Sequence, residues 1–273
     1  MIYVLCDHKL GNSLIVMATY DYFKKRNIDV TYVLTQKNVN LLRSFPNIDV
    51  PYVRYDCFDA TMYREHKNHK HKQILDISSL PPDAYVTHWW AQRMEYLCDA
   101  PLRTIFKAIV VKPAINHTVV HVRAGDIDRF DIRFQNKNTI GQPKHHYPVP
   151  VQVYDALLSK EEPVTVVAQD VDNGYVRYLK DNFNVVDVVC SGDDPWNEDN
   201  SMVSDYAVLQ ACAETLILSC STFAWCAGMS SNAKKVILPS QGYWHHSNRH
   251  KINLYPDDER CAWFDVSTLK FLT

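Results

Sequence analysis

Glycine is scarce in this chain, seven in 273 residues. The loop that follows the first apolar stretch, Asp7-His-Lys-Leu-Gly-Asn-Ser13, holds one of them, so it is no dinucleotide fingerprint, which needs several glycines to bring backbone against a pyrophosphate. The eight cysteines contain no C-x-x-C pair and lie scattered in apolar surroundings. That spacing disfavours zinc and disulfide frameworks and predicts buried free thiols, with Cys226 the one to watch because it follows a candidate ligand loop. No apolar run approaches the ~18 residues of a membrane span. Met1-Ile-Tyr-Val-Leu-Cys6 meets Asp7 too soon for a secretory leader, so the expectation is a soluble protein, cytoplasmic or intraparticle. A formal net charge of -2 supplies no field that would demand a nucleic acid.

What is present is ordinary globular material, 47% hydrophobic and 22% charged, long enough for one large domain or two of usual size. Its pattern is an alternation of strands and helices. Ile2–Leu5 reads as a buried strand, the loop to Ser13 leads into an amphipathic helix over about Leu14–Arg26, and Val30–Leu34 makes a second strand. Gly11-Asn12-Ser13 would then stand at a helix N-terminus, where capping groups and free N–H donors gather. A helix over Asn38–Phe45, strands at Pro51–Tyr55 and Ala84–Thr87, and helical periodicity from Gln92 to Phe106 complete this half. The run Arg64–Lys72 reads as a solvated charged loop, since its lysines would repel a metal.

Lys112-Pro-Ala-Ile-Asn116 is a plausible boundary. Beyond it the alternation is clearer, with strands at Thr118, Val164–Ala168, Val185–Val189, Thr215–Ser219 and Lys235–Leu238. Helices fall between them, near Pro150–Ser159, Tyr175–Phe183, Met202–Ala213 and from Ser221 onward. Alternating units of this kind imply parallel sheets. The expected organisation is two successive α/β units, residues 1–113 and 114–240, facing a cleft, with a C-terminal segment, 241–273, packing back on the first.

Two stretches carry candidate chemistry. Thr118-Val-Val-His-Val-Arg-Ala-Gly-Asp-Ile-Asp128 is an apolar strand that ends in an imidazole, a guanidinium and two carboxylates. Ligands of open α/β sheets sit beyond the carboxyl ends of the strands, and the arginine fork matches a phosphate. Leu218-Ser-Cys-Ser-Thr-Phe-Ala-Trp225 turns a strand into a helix whose first residues are hydroxyls, a second place for an anion. Asp126-Ile-Asp128 and Asp170-Val-Asp172 both fit the D-x-D pattern that holds a divalent ion on a diphosphate, a pattern that 31 acidic residues also produce by chance. The histidine pairs 145–146 and 245–246 read as surface or cleft-rim residues. Trp89-Trp90 suits stacking on a sugar or packing in a core.

His121-Val-Arg123 with Gly125-Asp126, followed by the segment Asp205–Trp225, resembles the α1,2/α1,6- and O-fucosyltransferase superfamily, with the nearest likeness in the α1,2-fucosyltransferase-like branch. Leu10-Gly-Asn12 is similar to that branch's N-terminal glycine loop. The resemblance implies an α/β fold of two Rossmann-like domains facing a cleft (GT-B type), with residues 1–113 as the acceptor-side domain and 114–240 as the nucleotide-sugar-binding domain. It also implies an inverting, metal-independent glycosyltransferase that needs no cofactor beyond its donor, GDP-fucose, and acts on a glycan acceptor. Carried over by position, Arg123 would bind the diphosphate and stabilise the leaving group, His121 would line the donor pocket, Asp126 would support the loop, and Asp205 would read the guanine edge. Ser221 and Thr222 would surround the phosphates, with Gly11 and Asn12 on the donor side of the first loop.

Ala124 stands where many relatives carry a second arginine, and Cys220 and Cys226 replace a polar residue and a tryptophan. The donor sugar therefore stays open to a pentose or another deoxyhexose. A non-catalytic nucleotide- or carbohydrate-binding module and a metal-dependent enzyme using the D-x-D triplets are the rivals from other classes. Asp128, His8 and Asp7 are the candidate general bases.

Overall fold

The computed structural model describes residues 1–67, 75–76, 79–123, 148–190 and 201–272. The chain forms two compact units, Met1–Ile109 with His250–Tyr255, and Val110–Arg249 with Pro256–Thr273. Each is an α/β unit built on a largely parallel sheet. Among the described residues no helix is long and apolar enough to cross a membrane.

In the first unit β1 (Ile2–Cys6), β2 (Val30–Leu34), β3 (Tyr52–Arg54), β4 (Arg64–Lys67) and β5 (Ala84–Thr87) pair in the order β3-β2-β1-β5-β4, every pair parallel. The central strands are continuous apolar runs, as a sheet covered on both faces requires. Helix α1 (Leu10–Ala18) is apolar nearly all round and buries every residue but Asn12, the pattern of a helix enclosed by its own domain.

Four expectations for this unit are corrected. The first helix begins at Leu10 with Lys9 as its N-cap, so Gly11 and Asn12 lie inside its first turn and make no cap. Ser13 Oγ donates back to the His8 carbonyl at 2.8 Å. The helix also breaks at Thr19 before α2 (Tyr20–Lys25): the buried Thr19 hydroxyl donates to the Val16 carbonyl at 2.7 Å and meets Tyr32 Oη at 2.8 Å, a local bond that competes with the helix ladder. Arg64–Lys67, expected as loop, is an edge strand beside β5, and its charges suit an edge that should not recruit another chain. The periodicity over 92–106 resolves into two single turns, α4 (Met94–Leu97) and α5 (Leu102–Ile105), divided at Pro101.

The second unit holds β6 (Thr118–Val122), β7 (Val164–Ala168), β8 (Val185–Cys190), β9 (Thr215–Ile217), β10 (Lys235–Ser240), β11 (Cys261–Asp265) and β12 (Lys270–Phe271). Their order is β12-β11-β10-β9-β6-β7-β8, parallel throughout except for the β11–β12 pair. Helices α6 (Val151–Leu157), α7 (Gly174–Asn182), α8 (Ser201–Ala211) and α9 (Thr222–Ser230) precede β7, β8, β9 and β10, as parallel neighbours need crossovers. Counted from β6, the order is 3-2-1-4-5-6 plus a final antiparallel strand, the arrangement of the doubly wound nucleotide-binding sheet. The C-terminal segment differs from expectation: only His250–Tyr255 join the first unit, while β11 and β12 extend the second unit's sheet. Neither strand had stood out, because Lys235–Leu238 read as the last of the series.

Helix α9 lies unusually close to its sheet. A Cβ on Gly228 would come within 2.8 Å of Leu218 Cδ1 and 3.2 Å of Val236 Cγ1, and Leu218 is 0% exposed, so it cannot yield without displacing packed neighbours. Gly228→Ala is expected to cost about 1–3 kcal/mol through overpacking, read as a lowered urea midpoint; an unchanged midpoint would mean that Leu218 finds another rotamer.

Candidate functional site

In an open parallel sheet the ligand crevice lies at the point where the strand order reverses, outside the carboxyl ends. In the second unit that point falls between β6 and β9, which pair side by side. The two motifs singled out in the sequence are the continuations of these two strands. His121 is the fourth residue of β6 and Arg123 follows its end, while Leu218–Ser221 links β9 to α9.

The contacts between them are direct. His121 is buried, with Nδ1 2.6 Å from Ser219 Oγ. Arg123 is half-buried and directs Nη1 to the Cys220 carbonyl at 3.5 Å. Phe223, in the first turn of α9, lies tilted against the His121 ring at 5.7 Å and takes the edge of Tyr206 at 5.4 Å. Asp205 is buried on α8 immediately before Tyr206, so the helix that carries it is packed on the start of α9. A hydrogen bond from Gln210 to Ser230 joins the same two helices further along.

Helix α9 offers its amino end to this crevice. Ser221 is the N-cap, and its carbonyl accepts the first intrahelical bond from Trp225 N–H at 2.8 Å. Among the described residues no side chain caps the helix, and its first turn holds no acid. First-turn N–H donors and the positive dipole end are what an anion needs. Burial, and then the Arg123 charge, push the His121 imidazole down to about 3, so it is neutral across the physiological range. Among the described residues the positive side chain at this crevice is Arg123; His121 contributes hydrogen bonding through Ser219.

The cysteines here are not nucleophiles. Burial pushes the Cys220 thiol up to about 12 and that of Cys226 well above its ordinary value, which suppresses the reactive thiolate. The expectation of buried thiols holds for Cys6, Cys212, Cys220 and Cys226 and fails for Cys57 and Cys98, which are exposed. The carboxylate pattern Asp170-Val-Asp172 folds on itself at the end of β7. Asp170 Oδ1 accepts the Asp172 N–H at 2.8 Å, and Asn173, bonded to the Asp170 carbonyl, caps α7 by accepting from Tyr175 and Val176 N–H at 2.9 Å each. Asp126 and Asp128, and with them the other D-x-D triplet, lie outside the described residues.

The first unit has its own reversal point, between β1 and β5. Asp7 and His8 follow β1, and His88–Ala91 follow β5. His8 is largely buried, with Nε2 3.2 Å from the Trp89 carbonyl and Nδ1 3.6 Å from Asp7 Oδ1. Its pKa is lowered by burial, against the opposing pull of Asp7 and the Trp89 carbonyl. His88 and Ala91 adopt left-handed backbone, φ 58° and 50°, a conformation costly for residues with a Cβ and concentrated at functional segments. Trp89 packs against Phe23 and Tyr96 in the core, so of the tryptophan pair Trp90 alone has a partly exposed face. Gly11 and Asn12 belong to this unit, and Asn12 Oδ1 accepts from Gln92 Nε2 at 2.8 Å.

No family model matches the chain, and no curated protein matches it. Among solved structures it is similar to NodZ α-1,6-fucosyltransferase co-crystallised with GDP, at 14% identity over 86% of this chain and 93% of that one, with a TM-score of 0.43. It is likewise similar to fucosyltransferase NodZ from Bradyrhizobium, at 14% identity over 86% and 94% of the two chains, with a TM-score of 0.44.

His121, Arg123, Ser221 and Thr222 are brought to the carboxyl ends of two adjacent central strands, β6 and β9, with Asp205 on a helix packed on the start of α9. Ser219 and Phe223 were missed as individual site residues. Ser219 read as the end of an apolar strand, and only the β6–β9 pairing, which no local pattern encodes, reveals it as the partner of His121.

Proposed function

We propose that the chain is an inverting glycosyltransferase that moves fucose from GDP-fucose to a glycan hydroxyl. The observation that carries this reading is the meeting of Arg123 with the β9–α9 turn at the reversal point of a Rossmann-ordered sheet. Two segments that resemble fucosyltransferase motifs, far apart in sequence, end there side by side.

The acceptor oxygen attacks the anomeric carbon as the bond to the diphosphate oxygen breaks, and negative charge grows on the leaving phosphate. Groups set to meet that charge stabilise the transition state more than the bound donor. Arg123 and the α9 amino end take this role, with Ser221 and Thr222 beside the phosphates, and no divalent ion is required for it. His121 lines the donor pocket as a neutral ring, Asp205 reads the base, Asp126 steadies the loop after Arg123, and Asp128 is one candidate for receiving the acceptor proton. Gly11 and Asn12 are proposed to contribute from the first unit.

Thermal unfolding in a panel of nucleotides, with and without chelator, tests the donor. GDP and GDP-fucose should raise the melting temperature as their concentration passes the dissociation constant, with the same shift in chelator and none in Arg123→Ala. Stabilisation by a uridine nucleotide instead would reassign the base. Because Ala124, Cys220 and Cys226 depart from the resembled motifs, a different sugar on the same nucleotide is the second reading; it predicts equal shifts with GDP and no transfer from GDP-fucose. Nucleotide binding without even slow donor hydrolysis would point to a binding module.

A further inference from the structure

The connection from β10 to β11, residues 241–260, crosses from the second unit to the first and back. Its opening is folded onto the carboxyl ends of its own two strands. Ser240 and Asp265, the last residues of β10 and β11, are register partners, and Ser240 Oγ accepts the His246 N–H at 3.0 Å. This places His245 and His246 over Asp265, where one ring nitrogen of each and one carboxylate oxygen all lie within 4.8 Å of one another.

We infer that His245, His246 and Asp265 bind a divalent transition-metal ion that clips this connection to the end of β11. Asp265 is 5% exposed, yet among the described residues no lysine or arginine lies within ion-pair distance of it. Its hydrogen bonds come from neutral donors, the Ser267 N–H at 2.8 Å and hydroxyl at 2.7 Å and the Thr268 side chain. Carboxylates are rarely buried without a positive partner, and a cation held by the two imidazoles would supply one. The surroundings also orient the ligands, as outer partners do in metal sites. Ser267 holds one oxygen of Asp265, and Ser247 holds the His245 ring through Nδ1, which lies 2.8 Å from its hydroxyl and 3.3 Å from its backbone nitrogen; with a metal on Nε2, Nδ1 carries the proton and donates to that hydroxyl.

Two imidazoles and one carboxylate suit zinc, cobalt or nickel better than magnesium or calcium, which prefer an all-oxygen shell. Three protein ligands leave at least one position for water. The site is independent of the nucleotide reading, since none of its ligands belongs to the Arg123 crevice. It can stand if that reading fails.

Untagged full-length protein, stripped of metal, is titrated with Co²⁺ while the visible d–d bands are followed, and Zn²⁺ is then used to displace it. One saturable equivalent is expected. His246→Gln, a change at an exposed residue, and Asp265→Asn should each weaken it by about tenfold or more, and Zn²⁺ should raise the melting temperature of the wild type but not of H246Q. The charged run of the first half holds further histidines, so the double change His69→Gln, His71→Gln serves as control and should leave the equivalent unchanged. Absence of a saturable equivalent, its survival in folded H246Q, or its loss in the control overturns the assignment.

Discussion

Arg123→Ala is expected to lower transfer by about 10²–10³-fold, the usual cost of removing one preorganised donor to a developing negative charge, with little change in thermal stability. Arg123 sits just beyond the last buried residue of β6 and is itself only half-buried. Truncation removes none of the apolar side chains that hold the sheet. Among the described residues the neighbouring groups do not replace it, because His121 is neutral and the α9 dipole carries only a partial charge. Lysine should restore part of the binding of GDP and less of the rate, since it supplies charge without the planar fork that spans two phosphate oxygens. The measurement is initial rate against donor concentration beside the melting temperature. A folded alanine variant that turns over near the wild-type rate would remove Arg123 from the chemistry.

How far this site could be foreseen depends on which facts are local. The apolar runs Val30–Leu34, Ala84–Thr87 and Val164–Ala168 are strands within the bounds expected of them, because a buried parallel strand announces itself by composition alone. Arg123 and Ser221-Thr222 stood out because each breaks such a run with polar chemistry. Strand order is not local. That β9 lies against β6, bringing Ser219 to His121, follows from tertiary pairing of segments nearly a hundred positions apart. The same holds for β11, whose partner β10 is reached only after a long excursion. Arg64–Lys67 misled in the other direction: edge strands tolerate charge, so composition there argues for a loop.

Acidification should reveal the His121 environment as a loss of stability. Its imidazole is held at about 3 in the folded chain, against the ordinary 6.5 when unfolded. Between those values the unfolded chain binds a proton that the folded chain refuses, so the free energy of unfolding falls as pH falls. This contribution is complete above about pH 6.5 and drains away toward pH 3, at about 1.4 kcal/mol per pH unit where the coupling is full. His8, whose pKa is also lowered, acts in the same direction, so the informative comparison is the wild type with His121→Asn. Asparagine can still bond Ser219 but does not titrate. It should start less stable at neutral pH, from the smaller side chain among buried neighbours, and then lose less on acidification, so that the two stability curves converge and cross as the pH approaches 4. The carboxylates with lowered pKa values, Asp56, Asp59, Glu95, Asp99, Glu161 and Asp265, are common to both proteins and cancel in the difference. Parallel curves from pH 7 to pH 4 would mean that His121 is not desolvated as its contacts imply. The positive charge of the crevice would then no longer rest on Arg123 alone among the side chains described there, and the loss expected of Arg123→Ala would shrink accordingly at low pH.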